Sequence, residues 1–291
     1  MKIKIVSNYD TEENMFKSSL NCFDNTTNLQ LVMGDTYDKL VIINGYRGKI
    51  KTQRENVIGV LQEPIGNINY DRNLHFYCDK ILCQSKKMFT NYGGIKETFL
   101  PMFYRHHENT KNNYFINFNN FDNRKKLCLI MSSISMPNNR NWTNHNYTKR
   151  HDLLKKMLNS KLDFDFYGRG WGNLSDHRFK GEANNKHEIL RKYQYSIAIE
   201  NVCENNYISE KLFDCFLNNT VPLYYGCPNA DQIFSPKSFI QINIEEDKIV
   251  DSISNIIEND TDTFQDHIIK SKQNYFDKLN LFTMLSDVIE R

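Results

Sequence analysis

Glu200-Asn201 and Ser209-Glu210-Lys211, separated by a short polar loop, are the residues whose types and spacing best suit chemistry. An apolar run over 195–200 ends in the first pair and reads as a strand. Ser209 is placed to N-cap a helix over 209–217, on which Leu212, Cys215 and Phe216 share one face, and Val221 begins the next strand. A βαβ unit of this kind holds its ligand beyond the carboxyl end of the strand and at the amino end of the helix. Free backbone N–H groups and the positive end of the helix dipole favour an anion there, such as a phosphate. Lys211, in the first turn, opposes that dipole unless an anion lies nearby. Glu210 has the two oxygens needed to accept both hydroxyls of a ribose. The same residues also fit a plain capped helix with a solvated Glu–Lys pair.

The elements that must position these residues are legible on either side. Runs at 3–7, 29–33, 40–44, 57–61, 80–84 and 98–101 are strand candidates. They are rich in Ile, Val and Leu without strict alternation, as in a parallel sheet covered on both faces. Segments 11–22 and 86–92 predict helices. From 105 to 126 the composition turns polar and asparagine-rich, which marks an interdomain boundary. Beyond it, strands at 127–131, 164–167, 195–200 and 221–225 alternate with helices at 149–158, 187–193 and 209–217. Later helices are predicted at 249–257 and 263–279, and the carboxy-terminal segment reads as polar and helical. The fold class is α/β, with one domain over 1–110, a linker over 111–126 and a second domain over 127–291.

A chain of 291 residues is long enough for two such domains. Its 37 basic and 35 acidic residues leave a formal charge of +2, too balanced for nucleic-acid binding. The seven cysteines, at 22, 78, 83, 128, 203, 215 and 227, form no Cys-x-x-Cys pair. Most lie in apolar runs and read as reduced thiols of a cytoplasmic protein. Residues 1–9 read as a first strand rather than a signal peptide. No run approaches the ~20 apolar residues that span a bilayer. The expectation is a soluble, cytoplasmic protein.

Glu200-Asn201, the loop to Tyr207, Ile208-Ser209-Glu210-Lys211, Val221-Pro222 closing on Gly226, and Pro236-Lys237-Ser238-Phe239-Ile240 form an ordered set. In order and spacing they resemble the donor-binding signature of the α-1,3/4-fucosyltransferases, glycosyltransferase family 10. The similarity is firm over 147–245. Ile199 stands where the family has Phe, and Ser209 where it has Thr; neither change removes a hydroxyl or a charge. The resemblance implies a GT-B type fold, with two Rossmann-like domains facing a cleft, the donor in the second and the acceptor in the first. It also implies an inverting, metal-independent transfer of L-fucose from GDP-fucose to a glycan hydroxyl. The partners expected are therefore a nucleotide-sugar donor and a glycan acceptor, with no cofactor.

The donor-binding residues that the resemblance implies are Arg150, Glu200, Asn201, Tyr207, Ser209, Glu210 and Lys211. Lys211 and an upstream arginine would neutralise the leaving diphosphate, while Glu210, Tyr207 and Asn201 hold ribose and fucose. Arg150 matches the family's pyrophosphate arginine, whose bidentate fork suits that task better than a lysine. Lys149 and Arg140 compete with it, because the preceding loop is long. Phe166-Tyr-Gly-Arg-Gly-Trp-Gly172 is similar to a Gly-rich turn that ends a strand near the nucleotide. In the first domain, Glu63 of Val60-Leu-Gln-Glu63-Pro64 is the implied general base, taking the acceptor proton as that oxygen attacks the anomeric carbon. Leu100-Pro-Met-Phe-Tyr104 is similar to a Leu-Pro-x-Tyr-Tyr stretch. Two rival readings are the same fold with another nucleotide sugar, and an inactive glycan-binding relative.

Two further patterns carry less. Asp163-Phe-Asp165 and Asp260-Thr-Asp262 match the DxD of metal-dependent glycosyltransferases. The first lies in an alternating strand and the second in a turn, and neither setting aims two carboxylates at a metal. His106-His107 lacks the spaced partners of a zinc site.

Overall fold

The computed structural model describes residues 1–22, 27–64, 70–89, 92–98, 121–134, 145–172, 174–259 and 264–290. The chain forms two compact units. The first comprises Met1–Asn113, Asn205–Ser209 and Asn274–Arg291, and the second Tyr114–Glu204 and Glu210–Gln273.

The first unit is built on strands β1 (Lys2–Ser7), β2 (Gln30–Leu31), β3 (Lys39–Ile43), β4 (Val57–Val60), β5 (Lys80–Cys83) and β6 (Ile95–Glu97). All pairs are parallel, in the order β2-β1-β3-β4-β5-β6. Alternate residues enter two separate cores. Ile3, Ile5, Val41, Ile43, Ile58 and Val60 pack on one face with Met15 of helix Glu12–Cys22. Val6, Leu40, Ile42 and Val57 pack on the other, with Leu74 and Phe89. A sheet buried on both faces has no polar side to show, which is why these strands do not alternate in sequence.

The face that holds Ile3 and Ile5 is also covered by Leu281, Phe282, Leu285 and Val288 of helix Leu281–Ile289. Asn280 caps this helix, accepting from the Phe282 and Thr283 amides at 3.0 Å each, and Lys80 Nζ donates to the Val288 carbonyl at 2.9 Å. The sequence reading places the carboxy-terminal helices with the second domain and reads their end as polar. This helix instead presents an apolar face at i, i+1, i+4 and i+7 and closes the first sheet. Periodicity shows that such a face must be buried but not which sheet buries it.

Smaller departures have local causes. The helix expected over 86–92 is a single 3₁₀ turn, Lys86–Met88, with Ser85 Oγ accepting from Lys87 N at 3.3 Å. A run that short cannot propagate a helix on its own. The strand expected at 98–101 is β6, ending at Glu97, with residues 99–101 outside the described residues, as are 111–120 of the expected linker.

The second unit repeats the plan with β7 (Lys125–Ile130), β8 (Asp165–Tyr167), β9 (Tyr193–Ile199), β10 (Val221–Tyr225) and β11 (Ile240–Gln241). These strands are parallel in the order β11-β10-β9-β7-β8. Helices Tyr147–Leu158, Lys186–Leu190 and Glu210–Leu217 connect them, and Ile249–Asn259 and Gln265–Asn274 follow. Every residue of β9 is buried. Among the described residues, no helix is long and apolar enough to cross a membrane.

In each sheet the chain runs one way from the first strand to the second and the other way from the first to the third. That reversal leaves a crevice between β1 and β3, and another between β7 and β9.

Candidate functional site

A cavity of about 350 Å³ opens at the carboxyl ends of β7 and β9, the reversal point of the second sheet. Its floor is formed by the last residues of these strands, Leu129 to Met131 and Ile197 to Ile199, and by the turn at Gly168 and Arg169 after β8. Only glycine fits at 168, since a Cβ there would lie 1.8 Å from the Met131 carbonyl oxygen. Trp171 Nε1 donates to that same oxygen at 2.7 Å and fixes the turn.

The charged wall comes from the starts of two helices. Asn146 stands before Tyr147–Leu158. It donates from its side chain to the Glu200 carbonyl at 3.0 Å and from its backbone to the Asn201 carbonyl at 2.7 Å, tying that helix to the end of β9. One turn in, Arg150 is buried, stacks over the Tyr147 ring at 4.6 Å and donates from Nη1 to Asn201 Oδ1 at 3.1 Å. Helix Glu210–Leu217 supplies Glu210 and Lys211, which also border the cavity. Lys211 Nζ lies 3.3 Å from Glu210 Oε1 and 3.7 Å from Glu200 Oε2. Burial works against both charges. Lys211 and then Lys186 overcome it at Glu210, whose carboxyl is lowered to about 2. At Lys211, burial is outweighed by Glu210 and then Glu200, and the ammonium is held above its ordinary value. Both groups are therefore charged across the neutral range.

The structure thus brings Arg150, Asn201, Glu210 and Lys211 to one pocket. Glu200 lies outside its lining. It is wholly buried, with Tyr224 Oη donating to Oε1 at 3.5 Å, and a Cβ at Gly226 would come within 2.4 Å of its Cγ. Tyr207 and Ser209 are buried and count with the first unit, as does Asn206, which donates to the Gln84 carbonyl at 3.1 Å. Lys149, the rival of Arg150, turns to Glu245 at 2.7 Å and does not border the cavity. Arg140, Leu100 to Tyr104, His106-His107 and Asp260 to Asp262 lie outside the described residues.

Glu63 belongs to the first unit. It follows β4 by three residues and is half-buried, and Gln62 N donates to Asn44 Oδ1 at 2.8 Å to fix the turn that carries it. Asp163 is exposed while Asp165 points inward. Burial works to raise the Asp165 carboxyl, but Lys125, Tyr193 and Lys180 outweigh it and hold the group low. Among the described residues, no group of three or more His, Cys, Asp or Glu side chains gathers as a metal site.

Two pocket residues escape sequence reasoning. Lys186 and Asp214 form an ion pair at 2.5 Å on the pocket wall. Burial pushes both towards their neutral forms, Asp214 well up and Lys186 down, with Glu210 opposing the shift at Lys186. Lys186 sits in a polar stretch and gives no signal. Asp214 gives one: it is an acid in the middle of an otherwise apolar helix, Leu212 to Leu217.

The two-unit arrangement of parallel sheets is the GT-B fold. A crystal structure of an alpha1,3-fucosyltransferase with GDP-fucose matches it with a TM-score of 0.54 over 94% of this chain and 81% of that one, at 17% identity. The crystal structure of Anabaena Alr3699/HepE in complex with UDP matches with a TM-score of 0.58 over 100% of this chain and 99% of that one, at 8% identity. Residues 131–268 match the family model described as glycosyltransferase family 10 (fucosyltransferase), C-terminal part. Within this region lie Arg150, Asn201, Glu210 and Lys211. The chain is also 34% identical to the Alpha-(1,3)-fucosyltransferase FucT of Helicobacter pylori over 61 residues, which span 21% of this chain and 13% of that relative.

Proposed function

We propose that this protein is an inverting glycosyltransferase that moves L-fucose from GDP-fucose to a glycan hydroxyl. The observation that carries this reading is the convergence of Arg150 and Lys211 beside an ionised Glu210, at the reversal point of the family-matched unit. Glu210 accepts the ribose hydroxyls. Arg150, aimed by Asn201, and Lys211 neutralise the charge that builds on the departing diphosphate. Fixed cations at the leaving group do the work that a divalent ion does in other transferases, so the reaction proceeds without one. Glu200 acts from below the pocket by holding Lys211. Glu63 takes the proton of the acceptor hydroxyl as its oxygen attacks the anomeric carbon opposite the diphosphate, which inverts that centre. The described cysteines are free thiols, in keeping with a cytoplasmic site of action.

The rival is the same fold acting on a uridine nucleotide sugar, favoured by the UDP-bound match. Both are tested by incubating the EDTA-treated protein with GDP-fucose or UDP-sugars and glycans ending in N-acetylglucosamine or galactose. Mass spectrometry reads the transfer and NMR the anomeric configuration. Inverted fucosyl product formed in EDTA is expected. Product from a UDP-sugar alone would establish the rival, and activity that returns only with Mn²⁺ or Mg²⁺ would refute the metal-free step.

A further inference from the structure

Asp214 has no part in the reaction just described, yet it borders the same pocket and is only 5% exposed. Its Oδ2 meets Lys186, while its Oδ1 is buried with no hydrogen-bond partner among the described residues. A carboxylate has room for about four hydrogen bonds, and leaving one oxygen bare in a buried wall is costly. A site of this kind is completed by N–H groups brought by a ligand.

The helix says which part of a ligand arrives there. Asp214 follows Glu210 by four residues, so the two acids share a face, ~6 Å apart along the axis. A nucleotide with its diphosphate at Lys211 and its ribose at Glu210 places its base one step further on, at Asp214 and Lys186. Leu129, Leu190 and Ile197, also on the pocket wall, offer apolar surface to a planar ring.

We propose that Asp214 and Lys186 read the nucleobase, with Asp214 accepting from the N1–H and 2-amino groups of guanine and Lys186 donating to O6. This inference rests on the donor site described above. The edges of the bases decide the match. Guanine offers one acceptor and two donors in the order that Lys186 and Asp214 require. Uracil turns a carbonyl towards the carboxylate in place of the amino group, and adenine turns a bare ring nitrogen. The pair therefore selects by repulsion as well as by attraction.

The test is calorimetric titration of GDP, inosine diphosphate, xanthosine diphosphate and UDP into the wild-type protein and Asp214→Asn. Inosine diphosphate lacks the 2-amino group, and xanthosine diphosphate carries a carbonyl in its place. The wild type should bind GDP about tenfold to a hundredfold more tightly than either analogue. Asp214→Asn donates where the carboxylate accepted, so it should weaken GDP and strengthen xanthosine diphosphate. A purely structural ion pair predicts that all nucleotides weaken together, and an unchanged ratio of GDP to xanthosine diphosphate in the variant overturns the proposal. Equal wild-type affinity for GDP and inosine diphosphate overturns it without any variant. Wild-type protein that binds UDP but not GDP, or no nucleotide, overturns the donor reading itself, and the first titration shows this separately.

Discussion

Counted from its own first strand, each sheet runs second, first, third, fourth, fifth, so the two units have equivalent crevices. In the second unit the surrounding helices send Arg150, Lys186 and Lys211 to that crevice. In the first unit the end of β1 and the turns after β1, β3 and β4 carry Ser7, Asn8, Asn44 and Glu63. Asn44 is held at φ 61°, in the left-handed region, and its side chain braces the turn before Glu63. One crevice is rich in fixed cations and suits a diphosphate. The turns of the other carry amides, a hydroxyl and a carboxylate, the groups that the proposed acceptor side calls for. Topology places a site at the strand reversal, and the side chains delivered there choose the ligand's charge.

The sharpest way to break this contrast is Lys211→Ala. Transfer should be largely abolished and GDP binding weakened, with the thermal melt little changed. Near-normal activity with unchanged GDP affinity would show that the cationic crevice does not need this cation. Glu63→Gln should come next, lowering turnover ~10²–10⁴-fold with GDP-fucose affinity nearly unchanged, because the amide keeps the shape but cannot take a proton. If donor affinity falls while turnover holds, Glu63 belongs to the donor site and the division of labour collapses.

Two smaller effects test the bodies of the units. Leu285→Ala should cost the first unit ~2–5 kcal/mol in urea unfolding. A loss confined to the second unit's transition would show that the helix stabilises the wrong sheet for this account. Lys272, in the second unit, is fully buried, and burial, Arg124 and Arg191 lower its ammonium to about 7. Below pH 7 it is charged whether folded or unfolded, and the full cost of burying that charge is present. Between about 7 and its ordinary value of 10.5 the unfolded chain holds a proton that the folded one has shed, so stability rises with pH across this window. Lys272→Met should flatten that rise, and an unchanged slope would assign it to another group.

The second unit was legible because its signals are local. An apolar run, a polar break, Ser209 before Glu210-Lys211 and a second run at Val221 announce strand, turn, helix and strand within one window. Arg150 was singled out through its resemblance to a family helix, and the structure adds where it and Lys149 turn: Arg150 to Asn201 on the pocket, Lys149 to Glu245 away from it. Lys186 and Asp214 were not legible as a pair, since they stand 28 positions apart in the chain and only folding makes them neighbours. The terminal helix failed for the same reason. Its apolar face is plain in sequence, but its partner is a sheet formed by the opposite end of the chain.

That helix also sets the order in which the protein can be completed on the ribosome. Residues 281–289 follow every residue of the second unit in the chain, yet they wall the core that holds Ile3, Ile5, Val41 and Ile43. The second unit is translated whole while the first still lacks part of its cover. The sheet made first is therefore finished last, and until Leu281–Ile289 emerges its apolar face is a surface for chaperones to shield.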